Sequence, residues 1–171
     1  MTFENMLKTF RDWLVTATGL VDAKVRMAQS NDVRPATPYA TVQGLETTQN
    51  GWPEKSAVGD SGSTTVYGHR TTLVRVALFG SAGYDYLEKA RLSTYRDDLY
   101  GTPLAAGLSV QGAGSIQNLS APRGTDFEDR FVLDFSVGWV ATVTDNVDGA
   151  TIENIDSTAT TVGGIVSDID V

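Results

Sequence analysis

The chain has 171 residues, 41% of them hydrophobic, which predicts one domain with enough apolar side chains to form a core. Its formal net charge of −8 argues against a protein that grips nucleic acid by neutralising phosphates. It contains no cysteine, so disulfides and thiolate metal sites are excluded. We expect neither a signal peptide, since charges interrupt the apolar pattern of the N-terminus, nor a membrane span.

Residues 2–17 show the apolar spacing of an amphipathic helix. Thr2 is a candidate N-cap, and Gly19 is a candidate C-terminal stop. The apolar stripe consists of Phe3, Met6, Leu7, Phe10, Leu14 and Ala17, with Trp13 at its border.

Residues 21–45 predict two strands with a loop between them. A short strand within 21–29 places Val25 and Met27 on one face. Two prolines in residues 32–38 indicate a loop, and residues 39–45 resume as a strand.

Residues 47–66 form the most loop-like internal stretch, rich in Gly, Ser, Thr and Asn, with Asn50-Gly51 as a turn signal. This polar loop is long for a connection in a compact domain, so we expect either a projecting hairpin or a mobile segment. Trp52 is its one large aromatic side chain, and it either packs the loop down or touches a partner.

Residues 67–79 have β character, and the apolar stretch 73–79 predicts a central strand interrupted by the charge of Arg75. Residues 81–100 predict a second helix, with Ser81 as its N-cap and Gly101 and Pro103 ending it. Residues 104–108 predict a turn.

Residues 109–119 predict a weaker strand, and residues 120–125 a turn. The stretch 127–144 then alternates strictly from Phe131: the odd positions through Val143 are apolar and the even positions mostly polar. This alternation predicts a long strand of a half-solvated antiparallel sheet. Residues 146–171 are acidic, contain no basic residue and predict an extended tail that a neighbouring subunit or the body orders.

The element order predicts an α+β domain over residues 1–145. We expect a mixed, mainly antiparallel sheet with two main helices packed on one face, a long polar loop and the acidic tail. Tyr39 and Trp139 are predicted in the core.

The search for catalytic chemistry finds little. His69 is the sole histidine, which favours a surface or structural role over catalysis or metal binding. Residues 80–83 resemble a crude anion nest, but a strand-to-helix turn is the better interpretation. The carboxylate pairs Asp97/Asp98 and Glu128/Asp129 diverge in direction. Acidic residues near 145–148 do not fit a calcium loop. We predict no enzyme, cofactor or metal.

Four residues are candidates for a subunit or partner interface. Glu128 and Arg130 share a predicted strand face, where they form either a rim ion pair or a pair across a subunit boundary. The candidates are Trp52, Arg75, Glu128 and Arg130.

The order of these motifs resembles a known family. The leading helix, Pro38-Tyr39-Ala40 at a strand start, the long polar loop, Phe79-Gly80 before a helix, and the closing strand after residues 127–130 resemble bacteriophage neck or tail terminator proteins of the LIC_12616 (gp12-like) type. The resemblance covers residues 3–145.

The resemblance implies a structural virion protein. It implies a homo-oligomeric, hexameric ring that caps the tail tube protein and joins it to the head–tail connector or adaptor protein. DNA is expected to pass through the channel without specific binding, and no membrane is involved. The expected location is the virion neck or tail, with assembly in the host cytoplasm.

Two other functions stay open on the sequence alone. One is a ligand- or peptide-binding module that uses the 47–66 loop and Trp52. The other is a small hydrolase whose carboxylates are brought together by folding. A measured mass separates a ring from a monomeric module, and a pocket with converging titratable groups would indicate the hydrolase.

Overall fold

The computed structural model describes residues 1–29, 33–57, 63–123 and 126–146. Within these ranges the chain forms three α-helices and nine strands. The helices are α1 (Phe3–Thr18), α2 (Gly83–Ser93) and α3 (Asp97–Ala105). The strands are β1 (Val25–Met27), β2 (Tyr39–Gln49), β3 (Glu54–Lys55), β4 (Ser63–Phe79), β5 (Leu108–Ala113), β6 (Gln117–Asn118), β7 (Ala121–Arg123), β8 (Asp126–Glu128) and β9 (Arg130–Asn146).

Seven of the strands form one sheet with the central order β1-β2-β4-β9-β5. β3 pairs with β4 and β6 with β9, while β7 and β8 form a separate hairpin. Only the β1–β2 pair is parallel among the described strands. The predicted α+β class with a mixed, mainly antiparallel sheet is confirmed.

The predicted long strand is confirmed as β9, which pairs with β4 over its whole length. The register runs from Phe79 opposite Arg130 to Ser63 opposite Asn146 without a shift. The predicted start at Phe127 is one element too early, because Asp129 separates β8 from β9. The central position predicted for residues 73–79 is also confirmed, since β4 lies between β2 and β9.

The main core lies between one face of this sheet and the helices. Phe135 of β9 is fully buried and meets Phe10 and Trp13 of α1 edge-on, with ring centroids 5.4 and 5.8 Å away. Trp139 is buried as predicted, and its Nε1 donates to Thr72 Oγ1 at 2.9 Å. The alternation of β9 therefore reflects burial of its odd positions from 133 to 139 under the helices, whereas Val143 in the same series is 66% exposed.

The opposite sheet face has a second, smaller apolar cluster. Tyr39 and Phe79 stack with their ring centroids 4.6 Å apart, and Ala77 and Val132 lie beside them. Tyr39 is buried as predicted, but on the face away from the helices.

The single helix predicted over 81–100 is wrong, because the chain forms α2 and α3 there. Amides of residues 94–96 donate to carbonyls three residues earlier, and the Thr94 hydroxyl donates to the Arg91 carbonyl at 2.7 Å. This change from bonds four residues apart to bonds three residues apart ends α2. α3 continues through Gly101 and Pro103 instead of stopping there. Ser81 is not the N-cap; Ala82 holds that position without a side-chain bond.

The predicted 47–66 loop is largely paired backbone. Residues 47–49 belong to β2 and 63–66 to β4, and β3 pairs with β4 between them. The Asn50 amide donates to the His69 carbonyl at 2.9 Å. These contacts favour a projecting hairpin, which we call the arm: residues 50–57, 63–69 and 140–146. Residues 58–62 lie outside the described part.

Two smaller predictions also change. The weak strand predicted over 109–119 divides into β5 and β6, and the turn predicted over 120–125 contains β7, which pairs with β8. The α1 helix and its stop at Gly19 are confirmed, with Gly19 at φ 75°. From residue 147 onward, the predicted tail lies outside the part of the chain that the structure describes.

Candidate functional site

A groove of about 430 Å³ lies on the sheet face away from the helices. Strands β2, β4 and β9 supply its floor, while β1 and residues 33–35 form one wall. Four of its lining residues are arginines, so we call it the arginine groove: Arg26, Arg34, Arg75 and Arg130, together with Glu128 and apolar residues that include Val33, Tyr39, Ala77 and Phe79.

The strand register explains why these side chains converge. Gln43, Arg75 and Asp134 are aligned across β2, β4 and β9. Two residues along β4, Ala77 occupies the same face, so one row of the groove floor is polar and the next is apolar. A side chain of α1 holds this wall in place, because Arg11 Nε donates to the carbonyl of Val25 in β1 at 2.9 Å.

Arg75 and Arg34 each have a carboxylate partner. Arg75 donates from Nε and Nη2 to the two carboxylate oxygens of Asp134, each at 2.8 Å. These hydrogen bonds raise the pKa of Arg75 above its ordinary value, against the opposing effect of burial. Arg34 donates from Nη1 to Glu128 Oε1 at 3.3 Å. Both pairs join segments far apart in the sequence.

Arg130 differs from these two arginines. Its guanidinium lies over the ring of Phe79, 5.5 Å from the centroid. Within the described ranges, it makes no ion pair with a carboxylate. A cation on an aromatic ring keeps its hydrogen-bond donors available for an anionic group.

The structure brings three of the predicted interface residues together. Arg75, Glu128 and Arg130 all line the arginine groove, although Arg75 lies more than fifty positions before the others. The predicted ion pair between Glu128 and Arg130 is replaced by the pair of Glu128 with Arg34, because the two residues lie on different strands. The interface role of all four candidates stays a prediction.

Trp52 lies apart from the groove. Its side chain is 91% exposed on the arm, so it does not pack the loop down. This leaves contact with a partner as the remaining interpretation of the two that the sequence allowed.

Sequence reasoning missed Arg26 and Arg34 as groove residues. Arg34 lies in a proline-containing stretch without periodicity, so no pattern assigned it a face. Arg26 alternates with Val25 and Met27, and this was the one available signal that it points away from the core.

The groove and its surroundings offer no recognisable catalytic centre. His69 is half-exposed and its Nε2 lies 3.6 Å from Glu54 Oε1 on the arm. In the described ranges, no group of three or more His, Cys, Asp or Glu side chains is placed to hold a metal ion. A hydrogen bond from Arg96 lowers the pKa of the exposed Asp98, as a surface pair does. None of the described helices is long and apolar enough to cross a bilayer.

The described part of the chain is thus an α+β domain with an arginine-rich groove on the open sheet face and an arm that carries an exposed tryptophan. The family model for phage neck terminator proteins matches residues 4–165, and the chain belongs to this family. No curated protein matches the sequence.

Membership confirms the resemblance at the level of phage neck and tail terminators. The protein is therefore a structural component of the phage neck or tail, and it assembles with other virion proteins. The narrower LIC_12616 type stays a prediction.

Proposed function

We propose that copies of this chain form a ring, hexameric as the resemblance implies, that caps the tail tube and joins it to the head connector. One observation supports the ring: among the described strands, the sheet has a partly unpaired edge on each side. β1 covers β2 only along Ala40–Val42, so among the described residues β2 is open from Gln43 to Gln49. β5 covers β9 only as far as Trp139, and the N-terminal amine of Met1 donates to the Val140 carbonyl at 3.1 Å and to Thr142 Oγ1 at 3.0 Å. Among the described residues, the backbone of β9 is therefore open from Ala141 to Asn146.

Two different open edges on one subunit suit a head-to-tail assembly. The edge of β2 in one copy pairs with the edge of β9 in the next, and repeated rotation closes a ring. The free part is seven residues long in β2 (43–49) and six in β9 (141–146), and each is long enough for a strand pair. Neither free edge contains the lysine or proline that commonly blocks edge pairing.

The arm is the part of the subunit that contacts the tail tube or the connector. On it, Trp52 supplies a large exposed aromatic surface of the kind that dominates binding at interfaces. The four predicted interface residues then divide between the arm, with Trp52, and the arginine groove.

A deletion tests the role of the arm. Removing residues 52–69 leaves Asn50-Gly51 as a two-residue turn between Gln49 and Arg70, which already pair with each other. We expect this variant to fold, because the core residues lie outside the deletion, but to fail in joining heads to tails. Complementation of particles that lack the protein, counted by electron microscopy, measures this. Normal joining by the shortened chain would contradict the proposal.

A single substitution gives a finer test. Trp52→Ala is expected to leave thermal stability unchanged, since the side chain is 91% exposed, while reducing head–tail joining. Tyr95→Ala is the matched control, because Tyr95 is 79% exposed on the helix side. Equal joining by the two variants would remove Trp52 from the interface.

The acidic balance of the chain fits a channel for DNA. With a net charge of −8, acidic groups facing the channel would let the polyanion pass without ion-paired stops or specific binding. The arginine groove would then face away from the channel. A ring structure with lysine and arginine lining the channel would contradict this.

The remaining predictions belong to the same proposal. Residues 1–145 form the body, the acidic tail over 146–171 docks on a neighbouring component, and the ring is added to the virion neck in the host cytoplasm. A ligand- or peptide-binding module that uses the 47–66 loop is the second candidate, and the arginine groove offers it a further surface. A monomer by mass measurement, at every concentration and with tail tube present, would favour that second candidate.

A further inference from the structure

We propose that the arginine groove is the docking site for the acidic C-terminal segment of a neighbouring copy, residues 165–171. The inference rests on the proposed ring and names the contact that links its subunits beyond strand pairing. It starts from an uneven distribution of charge. The whole chain has 13 lysines and arginines against 21 acidic residues, yet four arginines line this one groove.

The groove is prepared for an anionic peptide. The guanidinium of Arg130 lacks a carboxylate partner among the described residues and is held over Phe79. Charge-assisted hydrogen bonds from arginine to carboxylates are the strongest ones available to such a site. The wall formed by β1 and residues 33–35 supplies apolar surface, because Val33 is 90% exposed there.

The C-terminal segment has the complementary pattern, Ile165 to Val171, reading IVSDIDV. In an extended conformation Asp168 and Asp170 point to one side, and Ile169 and Val171 to the other. The aspartates can then meet Arg130 and the neighbouring arginine side chains while Ile169 packs on Val33. No lysine or arginine follows Arg130 in the chain, so nothing in the segment competes for its aspartates.

Chain length indicates a neighbour as the source. The last described residue, Asn146, lies at the arm end of β9, while Asp134 lies beside the groove, 12 residues back along the strand. That separation is about 40 Å at 3.3 Å per residue. A segment of 25 residues without regular structure averages only about 28 Å from end to end. In the proposed ring, the free edge of β9 pairs with β2 of the neighbour, and Gln43 at the start of that free β2 edge lines the groove. The strand that leads into the segment therefore lies beside the neighbour's groove.

Duplex DNA is the competing anionic occupant, and the observations disfavour it. Glu128 lines the groove and Asp134 pairs with Arg75 at its floor, so phosphates would meet carboxylates as well as arginines. A groove of about 430 Å³ also matches a few peptide residues better than a duplex.

The first test uses a fluorescent, C-terminally amidated peptide of residues 160–171 and the full-length chain. We expect saturable binding, and we expect the peptide with both Asp168→Asn and Asp170→Asn to bind about tenfold more weakly. Raising the salt from about 0.05 M to about 0.5 M should weaken binding of the natural peptide. Equal binding of the two peptides, displacement by duplex DNA, or no binding at about 1 mM peptide would each overturn the proposal.

Variants of the chain locate the site. Arg130→Gln should weaken binding of the natural peptide about tenfold, whereas Arg96→Gln should change it less than about twofold, since Arg96 is an exposed arginine outside the groove. Val33→Asp is a second groove variant at an exposed position, so its loss of binding cannot come from misfolding of the core. Unchanged binding by both groove variants would overturn the proposed site.

A mixing experiment identifies the source of the segment. One copy carries a paramagnetic label on Val171→Cys, and a second, unlabelled copy is enriched in ¹⁵N. We expect broadening of groove amides such as Ala77 in the ¹⁵N copy. A second sample, in which one copy carries both the label and ¹⁵N and is diluted with unlabelled chain, reports docking within a copy. Broadening in this second sample alone would overturn docking between copies. If joined particles form but the peptide does not bind, this inference alone fails. If the peptide binds but no joining occurs, the proposed function fails while the docking site stands.

Discussion

Two glycines show how strongly a residue's surroundings decide its role. A Cβ built on Gly83, the first residue of α2, would lie 2.6 Å from Cδ2 of Phe131 and 3.3 Å from Cδ2 of Leu78. A Cβ on Gly101, inside α3, meets nothing within 4 Å. Gly83 thus allows α2 to approach the sheet closely, whereas Gly101 only costs helical stability.

The paired substitutions to alanine should therefore have opposite effects. Gly83→Ala is expected to lower the free energy of unfolding by about 1–2 kcal/mol, because the ring of Phe131 has to move. Gly101→Ala is expected to raise it by up to about 1 kcal/mol through helix propensity. Urea titrations followed by circular dichroism measure both, and a stabilising Gly83→Ala would show that α2 is not held closely to the sheet.

The aromatic cluster between α1 and β9 gives a second prediction at this scale. Phe10 is fully buried and lies 5.3 Å from Trp13 and 5.4 Å from Phe135 by ring centroids. Phe10→Ala should lower the free energy of unfolding by about 3–5 kcal/mol by leaving a cavity. Phe127→Ala is the control, since Phe127 is 66% exposed, and it should cost less than about 1 kcal/mol. Similar losses in the two variants would place the core elsewhere.

Among the elements, β4 and β9 are joined by side chains as well as by backbone. Arg75 and Asp134 lie directly opposite each other on the groove face and form a two-point ion pair. The Arg75 and Asp134 side chains are 37% and 25% exposed, so water screens part of the attraction.

A double-mutant cycle measures this pair. Arg75→Ala, Asp134→Ala and the double variant should give a coupling free energy of about 1 kcal/mol, near the upper end for partly exposed pairs because the geometry is bidentate. The coupling should shrink as salt is raised to about 1 M. A coupling indistinguishable from zero at low salt would mean that the pair adds nothing to the β4–β9 contact.

The long strand was predictable because burial of one face forces its side chains to alternate. The β4 segment ending at Phe79 was predictable for a different reason, since apolar residues on both faces indicate a central strand. The arm was not, because paired backbone exposed on both faces imposes no apolar period on residues such as those of β3. The break after Ser93 depends on short-range hydrogen bonds of residues 94–96, which the sequence of the predicted 81–100 helix did not reveal.

The candidate site was only partly predictable. Arg75, Glu128 and Arg130 stood out as charges beside apolar strands, but their convergence depends on the register of β4 with β9. Arg26 and Arg34 join them through a parallel β1–β2 pair, and a single sequence contains no signal for that alignment.

For the whole molecule, the described core is complete without the acidic tail. Every buried residue of the two apolar clusters lies before residue 140, and the partly buried Ala141 packs against the larger cluster. Truncation after Asn146 should therefore leave the melting temperature within about 2 °C of the full chain at low protein concentration. Differential scanning calorimetry checks this, and a fall of more than about 5 °C would show that residues 147–171 belong to the body.

The unbroken ladder between β4 and β9 has a mechanical consequence. All 17 residues of each strand are aligned with the other, from the groove to the arm. Both strands enter the arm at the same end, so tension applied to the arm along the strand axis pulls β4 and β9 together and leaves the ladder between them unloaded. The force is then borne by the hydrogen bonds of β4 with β2 and of β9 with β5, which resist it in shear. A partner that pulls on the arm therefore loads the strands that pack against the helices.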